Sequence, residues 1–336
     1  MGARTRVTAC VMALALMASG ASAADFYDGK TVNFIIGSAA GGGYDTYSRL
    51  IASHIGRHLP GKPNVVAQNM PGAGSVRAAN YLYSVAPKDG SAIGMVDQAI
   101  YLYQILGTPE LKVDATKFNW IGRILSNSAV LFARSDAEVK TIQDAFTKQL
   151  IVSTSGTASK LNWTVLNNLV GTKFKIITGY TGTNDSRLAM MRGEVQALSM
   201  PWSVLKIEDE QLLRDHEINL LLQTGADKHP DLPNVPRMVD LGRNDDERKL
   251  LAIFSSQSTV GRSVVAPPGL PAERVETLRK AFWEAIHDPA LLADVKRAKL
   301  ELEPMTGEDL QASIAGSGEL SQAMIDRARQ VAEMKK

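Results

Sequence analysis

Short apolar runs alternate along this chain with segments whose apolar residues recur every three or four positions. The first run, Val32–Ile36, is expected to be a strand. Tyr44–Leu59 then reads as a helix with Tyr47, Leu50, Ile51 and Ile55 on one stripe. Asn64–Ala67 and Ser91–Val96 are further strands, and Ser75–Ala86 and Ala99–Leu106 further helices. Pro60-Gly61, Pro71-Gly72 and Asp89-Gly90 punctuate them. The same grammar restarts with strands at Gln149–Ser153, Phe174–Thr178 and Glu194–Met200, and helices at Ser159–Val170 and Asp185–Arg192. An apolar stretch, Thr259–Ala266, leads to helical patterns over Ala272–His287, Pro289–Ala298 and Gly307–Met334. Strands alternating with helices predict an α/β protein with mostly parallel sheets. Two such series predict two lobes: 24–125 with 260–336, and 126–259. The chain would then cross twice between lobes, and paired crossings act as a hinge.

The first residues read as an export signal. Arg4 and Arg6 precede a short apolar core, Val7–Ala18, and Ala21-Ser22-Ala23 fits a cleavage site, with Ala24 as the alternative. The expected signal is therefore 1–23, and the expected location the periplasm. The whole chain has 37 basic and 35 acidic residues; losing Arg4 and Arg6 makes them equal. No basic field is then left for nucleic acid or anionic lipid. The one cysteine, Cys10, leaves with the signal, so neither a disulfide nor a thiol nucleophile is expected.

Gly37-Ser38-Ala39-Ala40-Gly41-Gly42-Gly43 lies between a strand and a helix, where backbone N–H groups and a helix N-terminus together favour an anion. It is not a nucleotide loop, because Gly43-Tyr44-Asp45 stands where Gly-Lys-Ser/Thr is required. Nor is it a dinucleotide fingerprint: Thr46 stands where a glycine is needed, and the next strand ends in Gln68-Asn69 without an acid. Asp45 either complements the helix dipole or faces the cleft. Ser153-Thr154-Ser155-Gly156-Thr157-Ala158-Ser159 is a hydroxyl-rich counterpart in the second series, suited to holding a carboxylate without a salt bridge. His54 and His58 have a zinc-compatible spacing but lack the intervening Glu of a metalloprotease, so a solvated face is expected. A serine triad lacks its Gly-x-Ser-x-Gly elbow.

These motifs together resemble the periplasmic solute receptors of tripartite tricarboxylate transporters, the Bug family. The resemblance rests on seven segments in order. They are Ile36–Gly43 with Asp45 and Arg49; Asn69-Met70-Pro71-Gly72-Ala73-Gly74; and Ala86-Pro87-Lys88-Asp89-Gly90. Then come Ser155-Gly156 with Tyr180-Thr181-Gly182; Gly193-Glu194-Val195; Asp231–Pro236; and Val265–Pro271. Met70 replaces the family's usual arginine, and Lys88 is an insertion. The resemblance implies a type II periplasmic binding fold, with ligand carboxylates held by amides, hydroxyls and water rather than by arginine. It implies a non-enzymatic receptor without cofactor or metal, a monomer that takes a di- or tricarboxylate or aromatic acid and presents it to membrane transporter subunits.

The expected first jaw is Ser38, Ala39, Gly41, Gly42, Gly43, Tyr44 and Asp45, with Gly74, Asp97 and Gln98. The second is Ser155, Gly156, Thr157, Ser159, Tyr180, Gly182, Thr183, Asn184 and Trp202. Two other readings stay open: an accessory protein reporting ligand to a sensor kinase, and a secreted serine hydrolase.

Overall fold

The structure is a computed structural model that describes residues 26–154, 157–180, 183–315 and 320–333. The expected signal, 1–23, lies outside them.

Two sheets organise the chain. The first contains β1 (Thr31–Ile36), β2 (Asn64–Asn69), β3 (Ala92–Met95), β4 (Asn119–Leu125), β10 (Arg262–Ala266) and β11 (Met305–Thr306), in the order β11-β4-β10-β3-β1-β2. The second contains β5 (Ala129–Arg134), β6 (Leu150–Ser153), β7 (Phe174–Ile177), β8 (Ala197–Pro201) and β9 (Ile218–Gln223), in the order β7-β6-β8-β5-β9. The two sheets have the same plan. A first strand is flanked by parallel partners, and a strand arriving from the other lobe runs antiparallel beside the third. That visiting strand is β10 in the first sheet and β5 in the second. It also pairs antiparallel with β4 or β9, so antiparallel pairings outnumber parallel ones. The expectation of mostly parallel sheets fails for this reason: a strand entering from the partner lobe meets its neighbours head-on.

Period-two alternation explains the layering. In β1, Val32, Phe34 and Ile36 enter one core and Ile35 the other. In β5, Val130 and Phe132 face one layer while Leu131 and Ala133 face its opposite. Each sheet is buried on both faces, which is why the strands read as continuous apolar runs. The first sheet is covered by α1 (Gly43–Ile55), α2 (Val76–Ser84), α9 (Ala272–Ile286), α10 (Pro289–Arg297) and α11 (Gly307–Ala315). His54 and His58 belong to this packing. Each bonds a carboxylate 2.9 Å away, Asp294 and Asp288, and so ties the end of α1 to the region of α10.

The tail departs from the sequence expectation. Gly307–Met334 is not one helix: α11 ends at Ala315, and α12 (Gln322–Val331) packs its Ala328 and Val331 into the core containing Leu150 and Trp163 of the second lobe. Arg329 Nε also donates to the Leu106 carbonyl (2.6 Å), at the end of α3 (Ala99–Ile105). Asn168 donates to the Val331 carbonyl (2.9 Å), so α12 straps the two lobes together.

The chain passes between lobes at 126–128 and again at the end of α8 (Asp245–Val260). The two crossings touch where Asn127 N–H donates to the Ser258 carbonyl. Gly261 makes the turn from α8 into β10 with φ +51°, and a Cβ there would collide with the Leu125 carbonyl oxygen. The crossings therefore form a tight floor beneath the space between the sheets.

Candidate functional site

The glycine loop after β1 is built by three side chains that interlock. Asp45 accepts from Gly41 N–H (3.0 Å), Arg49 Nε (2.9 Å) and Asn69 Nδ2 (2.8 Å). Asn69 also donates to the Ser38 carbonyl (3.0 Å) and accepts from Arg49 (2.7 Å). The Asp45 side chain is 7% exposed, and the Arg49 hydrogen bond, helped by those of Gly41 and Asn69, holds its carboxyl down to about 2. Its carboxylate is thus engaged in holding the loop's shape, and Asp45 does not line the inter-lobe cavity.

The second small-residue loop braces the first. Gly72, Ala73, Gly74 and Ser75 all have positive φ, +145°, +46°, +59° and +70°. In this conformation Ser75 Oγ donates to the Gly37 carbonyl (2.8 Å), and a Cβ at Gly37 would strike Ser75 Oγ. Left-handed φ at Ala73 and Ser75 costs about 1 kcal/mol or more each, so the surroundings hold it in place.

Where this brace meets the floor, a cavity of about 270 Å³ opens between the lobes. Gly74, Asp97, Gln98, Ala99 and Tyr103 line it from the first lobe. Ser159 and Asn162 from α4 (Thr157–Val165), Thr183 from α5 (Thr183–Met191), Ser199–Pro201 of β8 and Thr224 face them. Asn127, Ala129, Phe254, Ser255, Gln257 and Ser258 complete the floor. Among the described residues fourteen buried side-chain polar atoms lack a hydrogen-bond partner, and five belong to residues lining this cavity: Gln98 Oε1, Asn127 Oδ1, Asn162 Oδ1, Ser255 Oγ and Gln257 Oε1. Buried polar groups are normally paired, so this concentration sets the cavity lining apart from the rest of the interior. Four of the five are amide oxygens, which accept, and the fifth is a hydroxyl, which can also donate; a guest's hydroxyl or N–H matches the former. Asp97 stands at its edge, where burial pushes its carboxyl above the usual range against the opposing hydrogen bonds of Ala99 N–H and Tyr44.

Of the expected contacts, Gly74, Asp97, Gln98, Ser159 and Thr183 line this cavity. Ser38, Ala39, Gly41, Gly42 and Gly43 do not; they form the loop beside it, with the three glycines exposed. Tyr44 lies between loop and cavity, its hydroxyl accepting from Gln98 N–H (3.0 Å). Tyr180 is half-buried and packs on the second lobe's outer core; Asn184 is exposed. Neither lines the cavity. Trp202, at the start of α6 (Trp202–Glu208), is also displaced. It lines a different cavity of about 340 Å³ and donates its Nε1–H to Asp231 (3.0 Å). Lys206 joins it there and bridges the lobes through Glu301 (2.7 Å). Ser155, Gly156, Gly182 and the Thr157 side chain lie outside the described residues.

The sequence reading missed Tyr103, Asn127, Asn162, Ser199, Thr224 and the Ser255–Ser258 run. A signal existed for the last: four polar residues, Ser255-Ser256-Gln257-Ser258, sit just before the apolar stretch at 259–266, and three are buried. Among the described residues no group of three His, Asp or Glu side chains could hold a metal, and none of the helices is long and apolar enough to cross a membrane.

Comparison with known proteins adds to this geometry. The model of the family described as "Tripartite tricarboxylate transporter family receptor" matches residues 48–329. A Cupriavidus necator protein, "UPF0065 protein in gbd 5'region", is 29% identical over 312 residues, covering 90% of this chain and 88% of the relative. A TctC solute binding protein from Polaromonas superposes with a TM-score of 0.66 at 19% identity, covering 91% of this chain and 99% of the other. An R. palustris protein solved with adipate superposes at 0.61 and 19% identity, covering 91% and 98%. These structural likenesses establish the two-lobed periplasmic-binding fold expected from the sequence. With the family model spanning most of its length, this chain belongs to the tripartite tricarboxylate transporter receptor family.

Proposed function

We propose that the chain is a periplasmic receptor that captures a small organic acid between its lobes and presents it to the membrane subunits of a tripartite transporter. The observation carrying this reading is the cavity of about 270 Å³ between the lobes, lined from both sides by amide- and hydroxyl-bearing residues. Family membership supports it, as does the adipate bound by a structural neighbour. Gly74, Asp97 and Gln98 would act from the first lobe. Ser159, Asn162, Thr183 and Ser199 would close from the second, over a floor of Asn127, Ser255 and Gln257. The loop 37–43 would add its amides at the rim.

A guest touching both walls favours the closed arrangement because only there are both sets of contacts made. The crossings at 126–128 and 258–261 are short and paired, which suits a hinge. No covalent step is needed, and none is proposed. A thermal-shift screen of the chain against small mono-, di- and tricarboxylates, sugars and peptides tests the reading. An acid at 100 times its dissociation constant should stabilise by about 2.7 kcal/mol. Stabilisation by a sugar or peptide with none from any acid would overturn it.

A further inference from the structure

The chain between β4 and β5 alternates as it crosses from one lobe to the other. Asn127 and Ala129 line the cavity of about 270 Å³, whereas Ser126 and Ser128 line the cavity of about 340 Å³ that holds Trp202. Successive residues of an extended chain face opposite sides, so the two cavities lie on opposite faces of this crossing. The second crossing divides in the same sense. Gln257 lines the first cavity, and Thr259 lines a space of about 200 Å³ that shares Ser126, Ser128 and Glu303 with the second. The lobes therefore enclose a front cleft, the proposed acid site, and a rear cleft, with both crossings between them.

A charged bridge spans the rear cleft. Lys206 of α6, on the second lobe, reaches Glu301 on the first (2.7 Å) and Asp231 on its own lobe (3.2 Å). Asp231 is fixed in turn by Trp202 Nε1–H (3.0 Å). Glu301 precedes β11, and its backbone is pinned to α1: its carbonyl accepts from the Tyr47 hydroxyl (3.0 Å), which accepts from its N–H (3.2 Å). Each end of the bridge is thus anchored in the body of its own lobe. Two bodies turning about a line between two clefts cannot narrow both, so closing the front widens the rear and stretches this bridge. We infer that Lys206 and Glu301 form a latch across the rear cleft, which the lobes must release to close on a ligand. The latch biases the ligand-free chain towards the open arrangement. Only the closed fraction makes contacts from both lobes, so the latch lowers apparent affinity. The two side chains are 33% and 23% exposed, and a pair so hydrated is weak enough for ligand contacts to overcome. The inference rests on the lobe-closure reading of the proposed function and adds the contact that sets its resting point.

Small-angle scattering of the full chain without ligand, beside calorimetric titration with succinate, glutarate and adipate, tests the inference. Lys206→Met and Glu301→Gln remove the bridge from opposite lobes, and only the first also loses Asp231. Each should shrink the ligand-free radius of gyration and tighten binding of the best of these diacids by about two- to fivefold. The double variant should gain no more than either single one, because all three lack the same contact. Ser128→Trp, which fills the rear cleft and leaves the residues of the bridge in place, should shift both readouts in the same direction. Unchanged scattering, or unchanged or weaker binding, in both single variants would overturn the inference, whether or not Ser128→Trp folds. If none of the three diacids binds the wild type, scattering alone decides: compaction in both variants upholds the latch while the choice of ligand fails, and no compaction overturns it. Diacid binding that is equal in wild type and variants, with unchanged scattering, removes the latch and leaves the organic-acid reading intact.

Discussion

The loop at 37–45 and the cavity wall at 98, 127, 162, 255 and 257 handle their polar groups in opposite ways. In the loop, Asp45, Arg49, Asn69 and Ser75 bond to one another and to the backbone of Gly37, Ser38 and Gly41. In the wall, the side-chain oxygens of Gln98, Asn127, Asn162, Ser255 and Gln257 are buried without a hydrogen-bond partner. The difference separates two jobs. One region uses its polar groups to fix a backbone shape; the other leaves side-chain oxygens that the fold does not use, which the proposed function assigns to a guest.

That contrast is exposed most strongly by removing the hub of the loop. Asp45→Ala strips acceptors from Gly41, Arg49 and Asn69 together, and should lower unfolding free energy by about 2 kcal/mol in urea titration. Ligand affinity should fall only as far as the loop's shape is lost. A stability unchanged by the substitution would mean that the loop is not self-bound.

Substitutions in the wall should do the reverse. Ser255→Ala and Asn162→Ala delete groups the fold does not use, so stability should stay within about 0.5 kcal/mol. Affinity for the bound acid should drop by roughly tenfold, about 1.4 kcal/mol. Loss of stability without loss of affinity would place these groups with the loop.

Acid titration sharpens the contrast further. The Asp45 carboxyl is depressed to about 2 in the fold, below its unfolded value. Its contribution is therefore present above about pH 4 and is lost as pH falls towards 2. Because Arg49 is half exposed, this amounts to about 1–2 kcal/mol. Asp45→Asn should flatten that part of the acid limb, whereas the wall variants should keep it.

The smallest effect is expected at the inter-lobe ion pair of Lys206 and Glu301, both partly exposed. Lys206→Met should change stability by less than about 1 kcal/mol. A shift in the lobe-closure equilibrium, read by small-angle scattering with and without acid, is the sensitive measure.

The same division explains what could be read from the chain. β1, the glycine loop and α1 were legible because an apolar run, a cluster of glycines and a helical stripe follow one another without interruption. Both βα series were legible for the same reason. β4 and β5 escaped notice because Arg123 interrupts one apolar run and Ser126–Ser128 separates the two strands. α8 hid its stripe behind Asp245-Asp246-Glu247-Arg248-Lys249 at its start and Ser255–Ser258 near its end. The motif residues Asp45 and Asn69 were visible, but their local roles as braces are set by contacts across 24 residues of sequence. The wall escaped because its members arrive singly, from the ends of several elements, and only the fold collects them.

The account's central claim is that the cavity wall, and not the glycine loop alone, holds the acid. Calorimetric affinity for the tightest acid found should be measured in Asn162→Ala and in Asp45→Asn, beside the unfolding free energy of each. The account predicts an affinity loss of about tenfold with unchanged stability for Asn162→Ala, and a larger stability loss than affinity loss for Asp45→Asn. Wild-type affinity in Asn162→Ala, with binding abolished in a stably folded Asp45→Asn, would contradict it.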